Sequence, residues 1–277
     1  MTVELTAKNL WLNATIRDNF VFSKTMELYP DLCRQLLELI LKIKIKEISY
    51  PEREKTVESR IDGKGIRLDV YVEDKDRNRF FDVEMQISNS DNLAKRIRYY
   101  QGLIDMDKLK RGQHYSSLGE SFIIFICTFD RFKQGRYIYT FQERCKEDPN
   151  IKLNDGSTKI FLNTKGIIGN VKPEIKAFLD YVDKGIVSGK FVEELNYAVN
   201  SIKSNEKVRH DFMTLHMALL EERLEGEARG EERGRNKEKE SVAIKLIQRG
   251  RPFKEIQEDT GLPIQRIKQL AKTIANS

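Results

Sequence analysis

Residues 65–88 read GIRLDVYVEDKDRNRFFDVEMQIS, a stretch that predicts one β-hairpin. In its first arm Ile66, Leu68, Val70 and Val72 point one way, and Arg67, Asp69 and Tyr71 the other. In its second arm Phe81, Val83, Met85 and Ile87 oppose Asp82, Glu84 and Gln86. The charged run EDKDRN supplies the turn. A hairpin centred between Asp76 and Arg77 sets Asp69 opposite Glu84 and Arg67 opposite Gln86. Cβ atoms directly opposite lie about 4.5–5.5 Å apart, and like charges there are destabilising. Two facing carboxylates invite a third party, and a divalent cation held by oxygens is the simplest one. On alternation alone, the competing reading is a surface hairpin whose polar face is charged because it meets water.

With 277 residues the chain can bury a full core and carry an appendage. Charged residues make up 33% and the hydrophobic set 39%, a globular composition. A net charge of +6 permits a polyanionic partner without requiring one. Cys33, Cys127 and Cys145 are odd in number and scattered, which excludes a disulfide framework and C-x-x-C zinc spacing. His210 and His216 share no helical face, and no histidine fits a metal motif. The first residues, MTVELTAKNL, lack the basic and apolar regions of a signal peptide. The longest apolar run, FIIFIC at 122–127, is too short to span a bilayer. A cytoplasmic protein with no membrane partner is therefore expected.

Around the hairpin, DLCRQLLELILKI at 31–43 has helical apolar spacing, and IKEISY at 45–50 reads as a short strand. A helix is expected from about Asn92 to Leu109, with Asp91 as N-cap and Leu93, Ile97, Tyr100 and Ile104 as its apolar stripe. SFIIFICTF at 121–129, YIYTFQERC at 137–145 and TKIFLNT at 158–164 read as strands. The order predicts an α/β fold, a mixed sheet flanked by helices with an all-α C-terminal region. Helices are expected over 173–183 and 190–224. Residues 221–240 hold eight acids and six bases, a solvated helix or linker in which Gly226, Gly230 and Gly234 recur. Residues 241–277 carry seven Lys/Arg against three acids and read as three short helices. The last two, with the turn TGLP, resemble a helix-turn-helix. Such motifs usually place a small residue four before the turn glycine, where this chain has Gln257. The alternative is a small packing or oligomerisation module, which would make the protein a homo-oligomer. The domains expected are 1–170, 171–235 and 236–277.

RDNFVFSK near the start, then RLDV, DVEMQIS and KRIRYYQGLI in that order, resemble the Rpn family of recombination-promoting nucleases, or putative transposases. That family lies within the PD-(D/E)xK nuclease superfamily, and the resemblance covers roughly residues 13–165. It implies a restriction-endonuclease-like core over 1–170, DNA as partner and Mg²⁺ or Mn²⁺ as cofactor. Asp69 matches the first acid, and Glu84-Met85-Gln86 the triplet, with Gln in the lysine position. The implied metal ligands are Asp69, Glu84 and the Met85 carbonyl, and the implied catalytic set is Asp69, Glu84 and Gln86.

Gln86 leaves three readings open: it orients a water, a cation from elsewhere replaces the lysine, or the site is degraded. Arg67, beside Gln86, and Lys95 and Arg96, on the next helix, are candidate cations. Glu38 and Asp18 are candidate accessory acids, each of which could equally be a helix-surface or capping residue. Tyr99 could contact DNA phosphate or simply pack, and Arg98 could contact DNA or serve only as surface. Asp82 shares the polar face but lies farther along it, opposite Tyr71. In the tail, Gln265, Arg266, Lys268, Gln269 and Lys272 would face out from a recognition helix that buries Ile267, Leu270 and Ile274. The leading function is a metal-dependent DNA endonuclease. The alternatives are a catalytically weak nuclease fold that binds DNA, and a protein-interaction role for the tail.

Overall fold

A computed structural model describes residues 3–49, 52–57, 66–89 and 92–275. Three helices come first: α1 (Val3–Asn13), α2 (Asn19–Leu28) and α3 (Pro30–Leu41). The strands are β1 (Glu52–Val57), β2 (Ile66–Asp74), β3 (Arg79–Gln86), β4 (Glu120–Cys127), β5 (Ile138–Phe141) and β6 (Ser157–Asn163). Helix α4 (Leu93–Lys108) joins β3 to β4. After the sheet follow α5 (Pro173–Lys184), α6 (Lys190–Ser204), α7 (Glu206–Gln248), α8 (Phe253–Thr260) and α9 (Ile264–Ala275).

The strands form one six-stranded mixed sheet in the order β1-β2-β3-β4-β6-β5. β3, β4 and β6 run parallel, while β1, β2 and β5 add to it antiparallel. The hairpin has the expected register: Val70 pairs with Val83 and Tyr71 with Asp82. Its turn is a 3₁₀ segment, Lys75–Arg77, closed by Asn78 in the left-handed region at φ 49°. From Phe122 to Cys127 strand β4 is apolar because both its faces are covered. Ile123, Phe125 and Cys127 pack with Leu93, Ile97, Tyr100 and Ile104 of α4. On the opposite face, α2 lies against β1, β2 and β3. There Phe122 and Ile160 also line a cleft of about 500 Å³ with residues of α3 and α5.

Several expectations fail. Residues 45–49 form no strand; Ser49 only exchanges bonds with Glu73, its N–H to the carbonyl at 2.8 Å and its Oγ from the amide at 2.9 Å. The sheet begins instead with β1, EREKTV, whose charges hide it from a hydrophobic pattern but suit an edge strand. β5 stops at Phe141; beyond it the chain turns, Arg144 donating to the Pro149 carbonyl at 2.8 Å. Asp91 lies outside the described residues, and Asn92, at the N-cap of α4, makes no side-chain cap bond. The segment 190–224 is split at Asn205, whose Oδ1 accepts the Val208 N–H at 3.1 Å. The first of the three expected tail helices is the end of the 43-residue α7, which absorbs the charged run 221–240.

The chain divides into two compact units: Leu10–Phe212, and a second joining the described parts of 1–9 and 213–277. The first closes on Phe212, whose ring lies 5.0 Å from Trp11 and 5.3 Å from Phe20. The second has its own core of Ala243, Ile256, Leu262, Ile267 and Leu270. No helix among the described residues is long and apolar enough to cross a membrane.

Where the hairpin turn meets β4, a Cβ on Gly119 would sit 1.8 Å from the Asn78 carbonyl oxygen. That carbonyl accepts the Glu120 N–H at 3.1 Å, so the backbone there cannot move aside without losing a bond. Gly119→Ala should destabilise the protein by about 2–3 kcal/mol, read as a lowered urea midpoint with unchanged slope.

Candidate active site

The hairpin's polar face lies under α4, and the paired register extends to place Asp69 across from Glu84. Each carboxylate takes a main-chain donor from the opposite strand. The Asp69 N–H donates to Glu84 Oε1 at 3.0 Å, and the Met85 N–H donates to Asp69 Oδ2 at 3.2 Å. This crossed pair holds the two acids side by side. Glu84 is only 4% exposed, whereas Asp69 is partly open to solvent. Burial, and next the Asp69 charge, push the Glu84 carboxyl up to about 8, while the Asp69 N–H and Arg96 act against the shift.

A third acid lies beside them. Asp82 is buried at 1% exposure, with the Glu84 carboxyl as its polar neighbour. Burial first, then the charges of Glu84 and Asp69, drive its carboxyl well above the ordinary range. The sequence pattern sets Asp82 on this face, opposite Tyr71, and the structure keeps it there. Its near-complete burial is a property of α4 packing that no strand pattern carries.

The positive charge comes from α4. Arg96 Nη2 donates to Gln86 Oε1 at 2.6 Å and lies 3.6 Å from Glu84 Oε2. Its guanidinium sits 5.1 Å from the Phe125 ring centroid and 5.6 Å from that of Tyr100, geometry worth about 0.5–2 kcal/mol of cation–π attraction. Gln86 is itself anchored, its Nε2 donating to the Ser88 carbonyl at 2.7 Å. Tyr100 is nearly buried, and its hydroxyl is pushed above its ordinary range by burial and then by the Glu84 charge.

The other candidates lie as follows. Lys95 and Arg98 are exposed on α4, and Tyr99 is 39% exposed. Arg67 lies in β2 opposite Thr56, and its side chain is outside the described residues. Glu38 closes the end of α3, its Oε1 accepting the Ile45 N–H at 2.9 Å, with Lys44 and Arg34 at 3.7 and 3.8 Å from Oε2. Asp18 caps α2, its Oδ1 accepting from the Phe20 N–H at 2.9 Å and the Val21 N–H at 3.2 Å. Met85 contributes its N–H to Asp69. On α9, Gln265, Arg266, Lys268, Gln269 and Lys272 are exposed, and Arg266 is bonded to Glu240 at 2.7 Å.

A family model of the PD-(D/E)XK nuclease family transposases matches residues 20–175. The chain belongs to this family. No curated protein and no solved structure matches it. The matched span holds all six strands and every member of the carboxylate cluster. PD-(D/E)XK nucleases generally use divalent metals, and the cluster presents oxygen donors of the kind such ions take. Its donors are all carboxylate oxygens, crowded enough that Glu84 retains a proton near neutrality. No group of three or more His, Cys, Asp or Glu among the described residues is placed to hold a metal. Within the cluster, Asp69 and Glu84 are the two carboxylates brought side by side.

Three participants escape a reading of the sequence: the Ser88 carbonyl, the aromatic bed of Tyr100 and Phe125, and the burial of Asp82. The Arg96–Tyr100 spacing of four on α4 was the one available signal.

Glu84 titrates near 8 when folded, against 4.5 in the unfolded chain, so its protonated form is favoured by folding. That stability is complete below the unfolded value and is lost as pH rises through the folded one. In EDTA the melting temperature should fall between about pH 4.5 and 8 and level off above that. Glu84→Gln should flatten the fall, leaving the variant more stable than the native chain at pH 9. Asp82, shifted the same way, should leave a residual slope.

Proposed function

We propose that this protein is a metal-dependent DNA endonuclease that hydrolyses phosphodiester bonds, acting in recombination or with mobile elements. The observation that carries the reading is the crossed carboxylate pair, half-buried Asp69 and buried Glu84, beside a fixed arginine. Membership of a nuclease family transposase group supports both the hydrolytic chemistry and DNA as substrate. Asp69 and Glu84 would hold Mg²⁺ or Mn²⁺, which supplies Lewis acidity and an activated water at the phosphorus.

The chain's own residues account for the rest. The two main-chain N–H donors orient the carboxylates, so that their geometry does not depend on a bound ion. Arg96 limits the repulsion between them. Exposed Lys95 and Arg98, together with Tyr99, give the α4 surface groups suited to the DNA backbone. In this reading residues 1–170 form the nuclease domain, 171–235 an extension and 236–277 a separate helical module. The α9 surface offers that module a second contact to DNA.

A second reading is a catalytically weak nuclease fold that binds DNA. It draws support from Gln86, whose amide is occupied by Ser88 and Arg96 rather than turned to a water. Nicking of supercoiled plasmid in Mg²⁺ or Mn²⁺ separates the two. Asp69→Ala and Glu84→Ala should each reduce cleavage by at least about 10³-fold while preserving the melting temperature within a few degrees. Groups that act as a unit are not additive, so the double variant should lose little more. DNA binding without metal-dependent cutting by the native chain would select the second reading.

A further inference from the structure

We infer that Arg96, from the helix after the catalytic strand, is the site's cation for the scissile phosphate, and that Gln86 is the residue that positions it. This rests on the phosphodiester hydrolysis proposed above.

Phosphoryl transfer gathers negative charge on the phosphate oxygens, and a preorganised cation in a partly dry site stabilises it. Gln86, third in the Glu84-Met85-Gln86 triplet, has no charge to offer. Its amide instead bridges two fixed points: Nε2 to the Ser88 carbonyl at 2.7 Å and Oε1 to Arg96 Nη2 at 2.6 Å. The amide thus reads as a bracket for the guanidinium.

Arg96 is placed for more than structural neutralisation. Its Nη2 lies 3.6 Å from Glu84 Oε2, too far for a strong hydrogen bond to that oxygen. Its Nε is buried without an acceptor. A guanidinium carries five N–H donors in a planar fork, and Nη2 to Gln86 is its one hydrogen bond among the described residues. The Phe125 and Tyr100 rings hold the plane without using those donors. The side chain as a whole keeps 33% exposure although Nε is buried, while Glu84 beside it is at 5%. A fixed fork with donors to spare beside two carboxylates suits an oxyanion that bridges to a cation on those carboxylates.

The test is plasmid nicking at saturating Mn²⁺ by the native chain and by Asp69→Ala, Arg96→Ala, Gln86→Ala and the double variant Gln86→Lys/Arg96→Ala, with Mn²⁺ affinity measured by calorimetry. Arg96→Ala should cut about 10²-fold slower or worse, and Gln86→Ala about 10-fold slower. Arg96→Ala should bind Mn²⁺ at least as tightly as the native chain, because a cation beside the ligands is removed. A lysine at 86, extending from β3 into the same charge position, should recover at least about 10-fold over Arg96→Ala alone. That rescue is something a purely structural role for Arg96 would not produce. Arg96→Ala cutting within about threefold of the native chain overturns the inference, as does failure of the lysine to rescue. Loss of Mn²⁺ binding together with activity in Arg96→Ala also overturns it, since Arg96 would then act by holding the ligands. A native chain that does not cut, or Asp69→Ala cutting normally, defeats the proposed hydrolysis itself.

Discussion

Two carboxylates facing each other across one hairpin, with one of them buried, is the arrangement on which the rest of this structure depends. Removing an ionised carboxylate from water costs several kcal/mol unless donors and opposite charge replace the water. Here the replacements are the Asp69 and Met85 main-chain amides, each given to the opposite strand's side chain, and the Arg96 guanidinium. They offset the penalty only in part, which is why the Glu84 carboxyl keeps its proton up to about 8.

That constraint reaches outward through packing. A one-residue slip in the hairpin would turn Glu84 and Gln86 toward α2 and move Val83 and Met85 beneath α4. The register is held by Val70, Val72, Phe81 and Val83, all buried at no more than 1% exposure. Phe125 in β4 then has two roles: it stacks on Phe161 at 5.7 Å within the core and meets the guanidinium of Arg96 at 5.1 Å. Core and site are therefore not separable around this ring. At the other end of α4, Lys108 is paired with Glu73 and lies 5.2 Å from the Tyr71 ring, tying the helix to β2.

Legibility differs from element to element for physical reasons. The hairpin, α4 and β4 could be read because each is half-buried or wholly buried, and burial writes a period into the sequence. β1 could not be read: an edge strand of Glu, Arg and Lys is stabilised by main-chain pairing, and its side chains carry no pattern. IKEISY at 45–50 has the apolar residues of a strand, yet it runs as irregular chain up to residue 49. Helices α1 and α2 at the start were also missed; both mix exposed leucines with buried aromatics such as Trp11 and Phe20. The site divides in the same way. Asp69, Glu84 and Asp82 share a face by alternation alone, whereas choosing Arg96 over Lys95 requires knowing how α4 is rotated on the sheet.

By itself, the sequence determined the hairpin, its register and hence the meeting of Asp69 with Glu84, because a period-two pattern and a centred turn leave no other pairing that buries the apolar arm. The family signature follows from those same local features. Only the tertiary structure decided which cation stands beside the acids, what Gln86 does with its amide and how deeply Asp82 is buried. Those outcomes depend on the rotation and depth of α4 over β3 and β4. Rotation and depth come from the summed packing of Leu93, Ile97, Leu103 and Ile104 against strands from three parts of the chain. No local pattern encodes a sum over contacts so distant in sequence.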